Sequence, residues 1–385
     1  MVNTTEKRTL LLVDDDSQNI QVVHSILKDN YKIRVAMNGV KALELAGMEP
    51  LPDLILLDVM MPHMDGYTVC SRLKADPKTR DTPVIFLTGK TEVADETRGF
   101  EVGAVDYIHK PFSPPIVTAR VRTHLMLRDA HRTVARQLLT LSNELEMAQQ
   151  VQRSILPRET PKLPGLDIVA RYIPMSSVAG DFYDFIAVDE KHVGILIADV
   201  SGHGLSSALI ASMLQTALAA QSPHASDPVQ VLTGLNRALY GKFQSYFVTA
   251  AYLFVDMNRS TVHYAGAAHP PLLLWRARNH EAIECIQNGL MLGPFPQAAY
   301  STLVFSLEKG DRIVLITDGI VETADPSGNE FGMPRLRQMV ESKHDLSADL
   351  FADALLESLT RWSERAMGAS QSDDITLLVI DFSND

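Results

Sequence analysis

Between residues 9 and 120, short apolar runs alternate with amphipathic segments. The runs at 9–13, 32–36, 54–57, 84–87 and 104–108 read as strands buried on both faces. The segments at 17–29, 39–48, 66–75 and 94–102 carry helical periodicity. Units in this order predict an open, doubly wound α/β parallel sheet, with its ligand site at the carboxyl ends of the strands. A different rhythm follows. Val134, Leu138, Leu141, Leu145, Ala148 and Ile155, with Val151 and Gln152 straddling the seam, step by fours and threes, which is the stripe of a coiled coil. No Pro or Gly interrupts the run between Pro115 and Pro157. Forty-odd helical residues would span roughly 60 Å at ~1.5 Å each, more than one small domain needs. From residue 166 the texture changes again, to alternating strands at 168–173, 184–188, 193–199, 248–256, 260–265, 272–276, 300–307, 311–317 and 375–381. Helices are expected at 206–220, 229–244, 334–342 and 347–364. That pattern predicts an α+β sandwich with helices outside. The expected organisation is therefore a domain over 1–122, a helical coiled-coil linker over 123–157, and a second domain over 158–385.

Composition narrows the classes. A chain of 385 residues has room for two or three cores. Its formal net charge of -12 disfavours nucleic acid or an anionic membrane as main partner, and no apolar run is long enough for a membrane span. Cys70 and Cys285 are the two cysteines, too few for a disulfide framework and suited to a reducing cytoplasm. The N-terminal residues do not read as a signal peptide.

In the first domain the polar residues fall at strand ends. Asp14 and Asp15 (with Asp16) follow the first strand, Asp58 the third, Thr88 the fourth and Lys110 the fifth. Carboxylates converging on one spot repel unless a hard cation joins them. Together with a hydroxyl and an ammonium group they can accept and hold a phosphoryl group. Any one of them alone would pass for a turn or cap residue. The stretches Leu11–Asp16, Leu57–Gly66, Phe86–Gly89 and Asp106–Pro111 resemble the receiver domain of bacterial response regulators. The resemblance implies Asp58 as phosphoacceptor, with Asp14, Asp15, Asp58 and the Met60 carbonyl around Mg²⁺. It implies Thr88 and Lys110 on the phosphoryl group, Tyr107 as aromatic switch, and a histidine kinase as donor. Gly89 stands where the family often has Ala or Ser.

In the second domain Asp181, Asp199, Asp318 and the pair Asp373–Asp374 lie far apart in sequence, each beside a glycine or a strand end. Carboxylates without Cys or an HExxH helix suit Mg²⁺ or Mn²⁺ better than Zn²⁺, and two such ions could activate water for attack on a phosphate. There is no nucleophile elbow and no Walker pattern. Asp184 and Asp311 are easily read as turn aspartates. The motifs, together with Ala265–Pro271 and Leu315–Thr323, resemble the PPM-type serine/threonine phosphatases in their SpoIIE/RsbU branch. The resemblance implies one metal on Asp181, Asp199 and the Val200 carbonyl, and a second on Asp199, Asp318 and Asp373. Asp374, Asp184 and His203 are further candidates. Ala179 replaces a usual glycine, and Arg171 is a weak candidate for the phosphate-binding arginine. His203 and His269 read equally as acid–base groups or as loop-ordering residues. The resemblance also implies a phosphorylated STAS-domain anti-sigma factor antagonist as substrate.

The expected whole is a cytoplasmic homodimer, joined through the linker, whose Asp58 phosphorylation controls a metal-dependent phosphatase. Activation is the working sign, although the residues fit either. The alternative is an adaptor whose phosphatase-like domain only docks a partner. Nucleotide cyclase and DNA-binding readings lack their signatures.

Overall fold

Unbroken aliphatic strands build the first half of the chain. In the computed structural model, which describes residues 7–89, 93–202, 204–243, 245–363 and 373–383, the chain divides into units Met1–Thr140 and Leu141–Asp385. In the first unit β1 (Thr9–Val13), α1 (Ser17–Leu27), β2 (Lys32–Ala36), α2 (Gly39–Ala46), β3 (Leu54–Asp58), α3 (Gly66–Ala75), β4 (Val84–Thr88), α4 (Val93–Glu101) and β5 (Asp106–His109) follow in turn. The strands form a parallel sheet in the order β2-β1-β3-β4-β5. Leu11, Val13, Ile55, Leu57 and Phe86 face one core, and Leu10, Leu12, Leu56, Ile85 and Leu87 the other. Burial on both sides explains why these strands are continuously apolar. Asp16, Asn38 and Asp65 cap α1, α2 and α3 by accepting from Gln18, Lys41 and Thr68 amides. The Asp16 carboxylate is thus already engaged as a cap.

Helix α5 (Pro114–Ile155) runs for 42 residues. Its first turns bury Val117, Val121 and Leu125 against the parallel sheet, and Arg128 bonds the Pro52 carbonyl and Asp53. At its other end Gln152 is buried, and Ile155 packs on the core of the second unit. Val134, Leu138 and Leu141 between them are exposed, Leu138 by 61%. The stripe expected to act as one seam is therefore divided, because Gln152 and Ile155 face their own chain while the middle remains open.

The second unit is a double sheet with helices on both outer faces. Its elements are β6 (Leu166–Ile173), β7 (Phe182–Asp189), β8 (His192–Val200), α6 (Leu205–Ala219), α7 (Pro228–Leu239), β9 (Val248–Asp256), β10 (Thr261–Ala267), β11 (Leu272–Arg276), β12 (Glu281–Cys285), β13 (Asn288–Gly289), β14 (Leu303–Ser306), β15 (Arg312–Ile316), α8 (Asp318–Val321), α9 (Gly332–Ser342), α10 (Ala348–Trp362) and β16 (Ile375–Phe382). One sheet runs β13-β10-β9-β8-β7, with β14 also on β10, and the other β12-β11-β15-β16-β6. Val193, Ile195 and Ile197 of β8 point between the sheets with Leu315 and Leu378, while Leu196, Ala198 and Val200 face α6 and α7. The outer face of the second sheet packs Val314, Ile316 and Val379 against Phe351 and Leu355 of α10. The period-two alternation thus feeds three cores rather than one.

Strands β12 and β13 and the short α8 are absent from the sequence expectation. The strand expected over 300–307 shortens to β14, and the helix expected over 229–244 ends as α7 at Leu239, shortly before Gly241 (φ 70°). Among the described residues no helix is long and apolar enough to cross a membrane.

Candidate functional site

The first site lies where β1, β3 and β5 end. One oxygen from each of Asp14, Asp15 and Asp58 falls within 4.8 Å of the others. Lys110 Nζ donates to Asp14 Oδ2 at 2.8 Å and to Asp58 Oδ2 at 2.9 Å. Asp14 Oδ1 accepts from the Asp16 amide and from Asn19 Nδ2. Burial, joined by repulsion from Asp14, raises the Asp58 pKa against the pull of Lys110. Burial works against the Lys110 ammonium, yet its bonds to Asp14 and Asp58 hold its pKa above the usual lysine value. The set is all oxygen, three carboxylates against one ammonium, and its remaining negative charge fits a hard divalent cation. Thr88 is buried at the end of β4, and Tyr107 is buried between Phe86 (5.5 Å) and Phe100 (5.3 Å). Gly99 leaves the room: a Cβ there would stand 1.6 Å from the Tyr107 hydroxyl.

The second site forms where β8 and β15 end and β16 begins, beside the 174–181 loop. Asp181 is 2% exposed, and its Oδ2 accepts from Thr317 Oγ1 at 2.7 Å and Thr376 Oγ1 at 2.6 Å. Burial and the neighbouring Asp199 carboxyl raise its pKa well above the carboxylate range. Asp199 is pushed up to about 7 by burial and by Asp318, Asp373 and Asp374, partly offset by hydrogen bonding with Asp181. Asp318, opening α8, is raised by burial and by Asp373. Asp181, Asp199, Asp318 and Asp373 therefore share one electrostatic environment. Their oxygens do not close to the spacing of the receiver triad.

A cation would relieve this charge, and the donors are again all oxygen, as Mg²⁺ or Mn²⁺ prefers. The Val200 carbonyl oxygen stands 2.7 Å from where a Gly180 Cβ would be, so the loop carrying Asp181 is seated on that carbonyl. The residues present fit a divalent metal.

Other candidates fall elsewhere. Asp374 accepts from the Met175 amide at 2.7 Å and the Gly180 amide at 2.6 Å, so both its oxygens hold the loop. Gly319 has no space for a Cβ because the Asp374 carbonyl oxygen lies 2.0 Å from that position. The Asp184 pKa is raised by burial alone, against a bond from the Phe185 amide, without a contribution from the clustered aspartates. Asp311 accepts from Arg276 and the Ala277 amide and is structural. Arg171 pairs with Asp349 and Asp353 of α10, which removes it as a phosphate ligand. His269 is buried, takes Thr249 Oγ1 on Nδ1 at 2.9 Å, and is pushed down to about 3 by desolvation. It is a neutral, loop-ordering residue rather than an acid–base group. His203 lies outside the described residues. Thr317 and Thr376 went unread in the sequence, although each sits next to or within two residues of a motif aspartate.

A phosphoacceptor-type pocket on a parallel sheet, followed by an acidic cleft on a helix-flanked double sheet, defines a receiver joined to a PPM-type phosphatase. Residues 189–383 match the family of stage II sporulation protein E (SpoIIE), and residues 10–122 match the response regulator receiver domain. The chain belongs to the SpoIIE family and carries a receiver domain ahead of its serine/threonine protein phosphatase domain. It is similar to the phosphoserine phosphatase RsbU of Bacillus subtilis, 30% identical over 66% of this chain and 75% of that protein. Its first part is similar to a probable cyclic di-GMP phosphodiesterase of Vibrio cholerae, 43% identical over 37% of this chain, and the match spans 33% of that protein. The SiaA-PP2C domain of Pseudomonas aeruginosa shares the fold, with a TM-score of 0.57 and 24% identity over 65% of this chain and 99% of that one.

Gly99→Ala should expel the Tyr107 ring and destabilise the receiver by about 1–3 kcal/mol. Urea unfolding and tyrosine accessibility read this; an unchanged midpoint with Tyr107 still protected would contradict it.

The sign of the pH dependence follows from Asp199, whose folded value of about 7 lies above its ordinary 3.8. The folded state keeps a proton that the unfolded chain has lost, so this stabilisation is complete below the unfolded value and disappears as pH rises through the folded one. Without metal, the second unit's urea midpoint should fall between about pH 5 and about pH 8, and saturating Mn²⁺ should flatten the fall. A midpoint that rises with pH would refute the assignment.

Proposed function

We propose that this chain is a phosphorylation-controlled, metal-dependent phosphoprotein phosphatase, in which Asp58 is the phosphoacceptor and the cleft around Asp199 hydrolyses phosphoserine or phosphothreonine. The observation that carries the reading is the mutual charge of Asp181, Asp199, Asp318 and Asp373, brought together from four separate stretches of chain. Asp181, Asp199 and the Val200 carbonyl would hold one Mn²⁺ or Mg²⁺, and Asp199, Asp318 and Asp373 the other; Asp14, Asp15, Asp58 and the Met60 carbonyl would hold Mg²⁺ in the receiver. When bound, the phosphatase ions supply an activated water and neutralise the phosphate's charge. The chain's own part is to fix the carboxylates: Thr317 and Thr376 orient Asp181, and Asp374 holds the loop that carries it.

In the receiver, Lys110 bridges Asp14 and Asp58 and is placed to stay with Asp58 once that residue carries a phosphoryl group. Thr88 and Tyr107 then respond to the added charge. A histidine kinase is the proposed donor. The likeness to the phosphoserine phosphatase RsbU supports a phosphoserine substrate, and the proposed one is a STAS-domain anti-sigma factor antagonist, whose dephosphorylation would free a sigma factor in the cytoplasm. Activation on phosphorylation is the proposed sign.

Wild type, Asp199→Asn and Asp58→Ala should be assayed with Mn²⁺ on an aryl phosphate and a phosphoserine-bearing STAS protein, with and without beryllofluoride. Turnover should fall at least a hundredfold in Asp199→Asn, by roughly 3 kcal/mol in transition-state terms. It should respond to beryllofluoride only when Asp58 is intact. No turnover in wild type on either substrate would move the reading to a docking protein.

The exposed Val134, Leu138 and Leu141 are proposed to pair with a second copy as a parallel coiled coil, since they keep heptad spacing while standing open to solvent. Light scattering should give a dimer for wild type and a monomer for Leu138→Glu with Leu141→Glu. A wild type that is monomeric both with and without beryllofluoride would end this part of the proposal.

A further inference from the structure

Gln152 is 6% exposed in the last turn of α5, on a stripe otherwise made of aliphatic side chains. Its Nε2 donates to the Ala179 carbonyl at 2.6 Å, and its Oε1 accepts from the Ala179 amide at 3.0 Å. The amide is thus paired in both directions with one residue's backbone, as a neighbouring strand would be. A buried side-chain amide is costly unless both its donor and acceptor are used. Here both are used on a single backbone residue, itself buried, two positions before Asp181.

Other residues of this loop are held as well. The Met175 and Gly180 amides donate to Asp374, Ser176 Oγ donates to the Val178 carbonyl, and Asp181 ends on Thr317 and Thr376. Gln215 Nε2 also donates to the Ile155 carbonyl, which fastens the end of α5 to α6. Asp374, Thr317 and Thr376 belong to the second sheet and its loops. Gln152 alone among these anchors of the loop lies on the helix that begins in the receiver unit.

We propose that Gln152 is a positioning residue through which the last turn of α5 sets the Asp181 carboxylate. A shift of that turn releases the Ala179 backbone, and with it the seat of Gly180 on the Val200 carbonyl. The proposal deepens the phosphatase reading and rests on it for its regulatory meaning.

The full chain tests it through Gln152→Met, which keeps length and removes both bonds, and Gln152→Glu, which keeps the acceptor for the Ala179 amide and loses the donor. Hydrogen exchange of the 174–182 segment and Mn²⁺ titration calorimetry are read beside activity. In Gln152→Met, exchange should quicken in this segment alone and the Mn²⁺ Kd should rise about tenfold or more. Turnover should drop at limiting Mn²⁺ and recover at saturation, with its response to beryllofluoride lost. Gln152→Glu should fall between Gln152→Met and wild type in exchange.

Unchanged exchange and Mn²⁺ affinity in Gln152→Met would overturn the proposal. So would exchange that quickens across the whole domain with no rescue by metal, which is what a purely structural role predicts. If Gln152→Met does not fold, Gln152→Glu decides on the same two readouts. Failure of the phosphatase reading looks different: wild type would not turn over, while local exchange and Mn²⁺ affinity would still depend on residue 152.

Discussion

Repulsion between buried carboxylates is the constraint around which both halves of this chain are built. Bringing Asp14, Asp15 and Asp58 within 4.8 Å, or Asp199 beside Asp181, Asp318 and Asp373, costs free energy that the surrounding fold has to offset. The two units meet that cost in different ways. The receiver installs a permanent ammonium, Lys110, bonded to two of the acids. The second unit meets it with hydroxyls and backbone amides, through Thr317, Thr376 and the loop held by Asp374. The first arrangement offsets part of its charge with an ammonium of its own, whereas in the second the charge is relieved by protonation, to which the raised Asp181 and Asp199 pKa values point. In both pockets the negative charge that remains suits a hard divalent cation.

The same contrast explains why rigid scaffolding surrounds each site. Strands of both domains are buried on two faces, and the acids are carried at or just beyond strand ends where the backbone is already fixed by the sheet. Repulsion that would otherwise splay the side chains is resisted by cores several residues deep. Asp199 at the end of β8 is an instance: Leu196, Ala198 and Val200 are locked against α6 and α7, and Ile195 and Ile197 against the second sheet.

Much of this could be read from the chain before any coordinates, because strand-end acids leave a local mark. The run from Leu10 to Asp16 announces a buried strand, a turn and a helix cap within seven residues. What escaped reading depends on partners distant in sequence. Thr317 and Thr376 meet Asp181 across separations of 136 and 195 residues, and Gln152 meets Ala179 across 27. Periodicity gave Gln152 its face on α5 but could not say whether that face met a second copy or its own chain. The Asp374 side chain, read as a further metal candidate, is spent on two amides for the same reason. Strand β12 was missed because Glu281 and Glu284 break its apolar pattern, and it lies at the edge of its sheet where such residues are tolerated.

Gly99, Gly180 and Gly319 bring no functional group to either site, yet each is defined by an atom already standing where its side chain would begin: the Tyr107 hydroxyl, the Val200 carbonyl and the Asp374 carbonyl. For inheritance this means that the seating of the Tyr107 ring and the gathering of the acids are guarded partly by positions with nothing to contribute except vacancy. An acid at such a site can drift to another oxygen-bearing residue and keep some of its role. At these three positions even the smallest addition forces a neighbour to move, a side chain at Gly99 and backbone at Gly180 and Gly319.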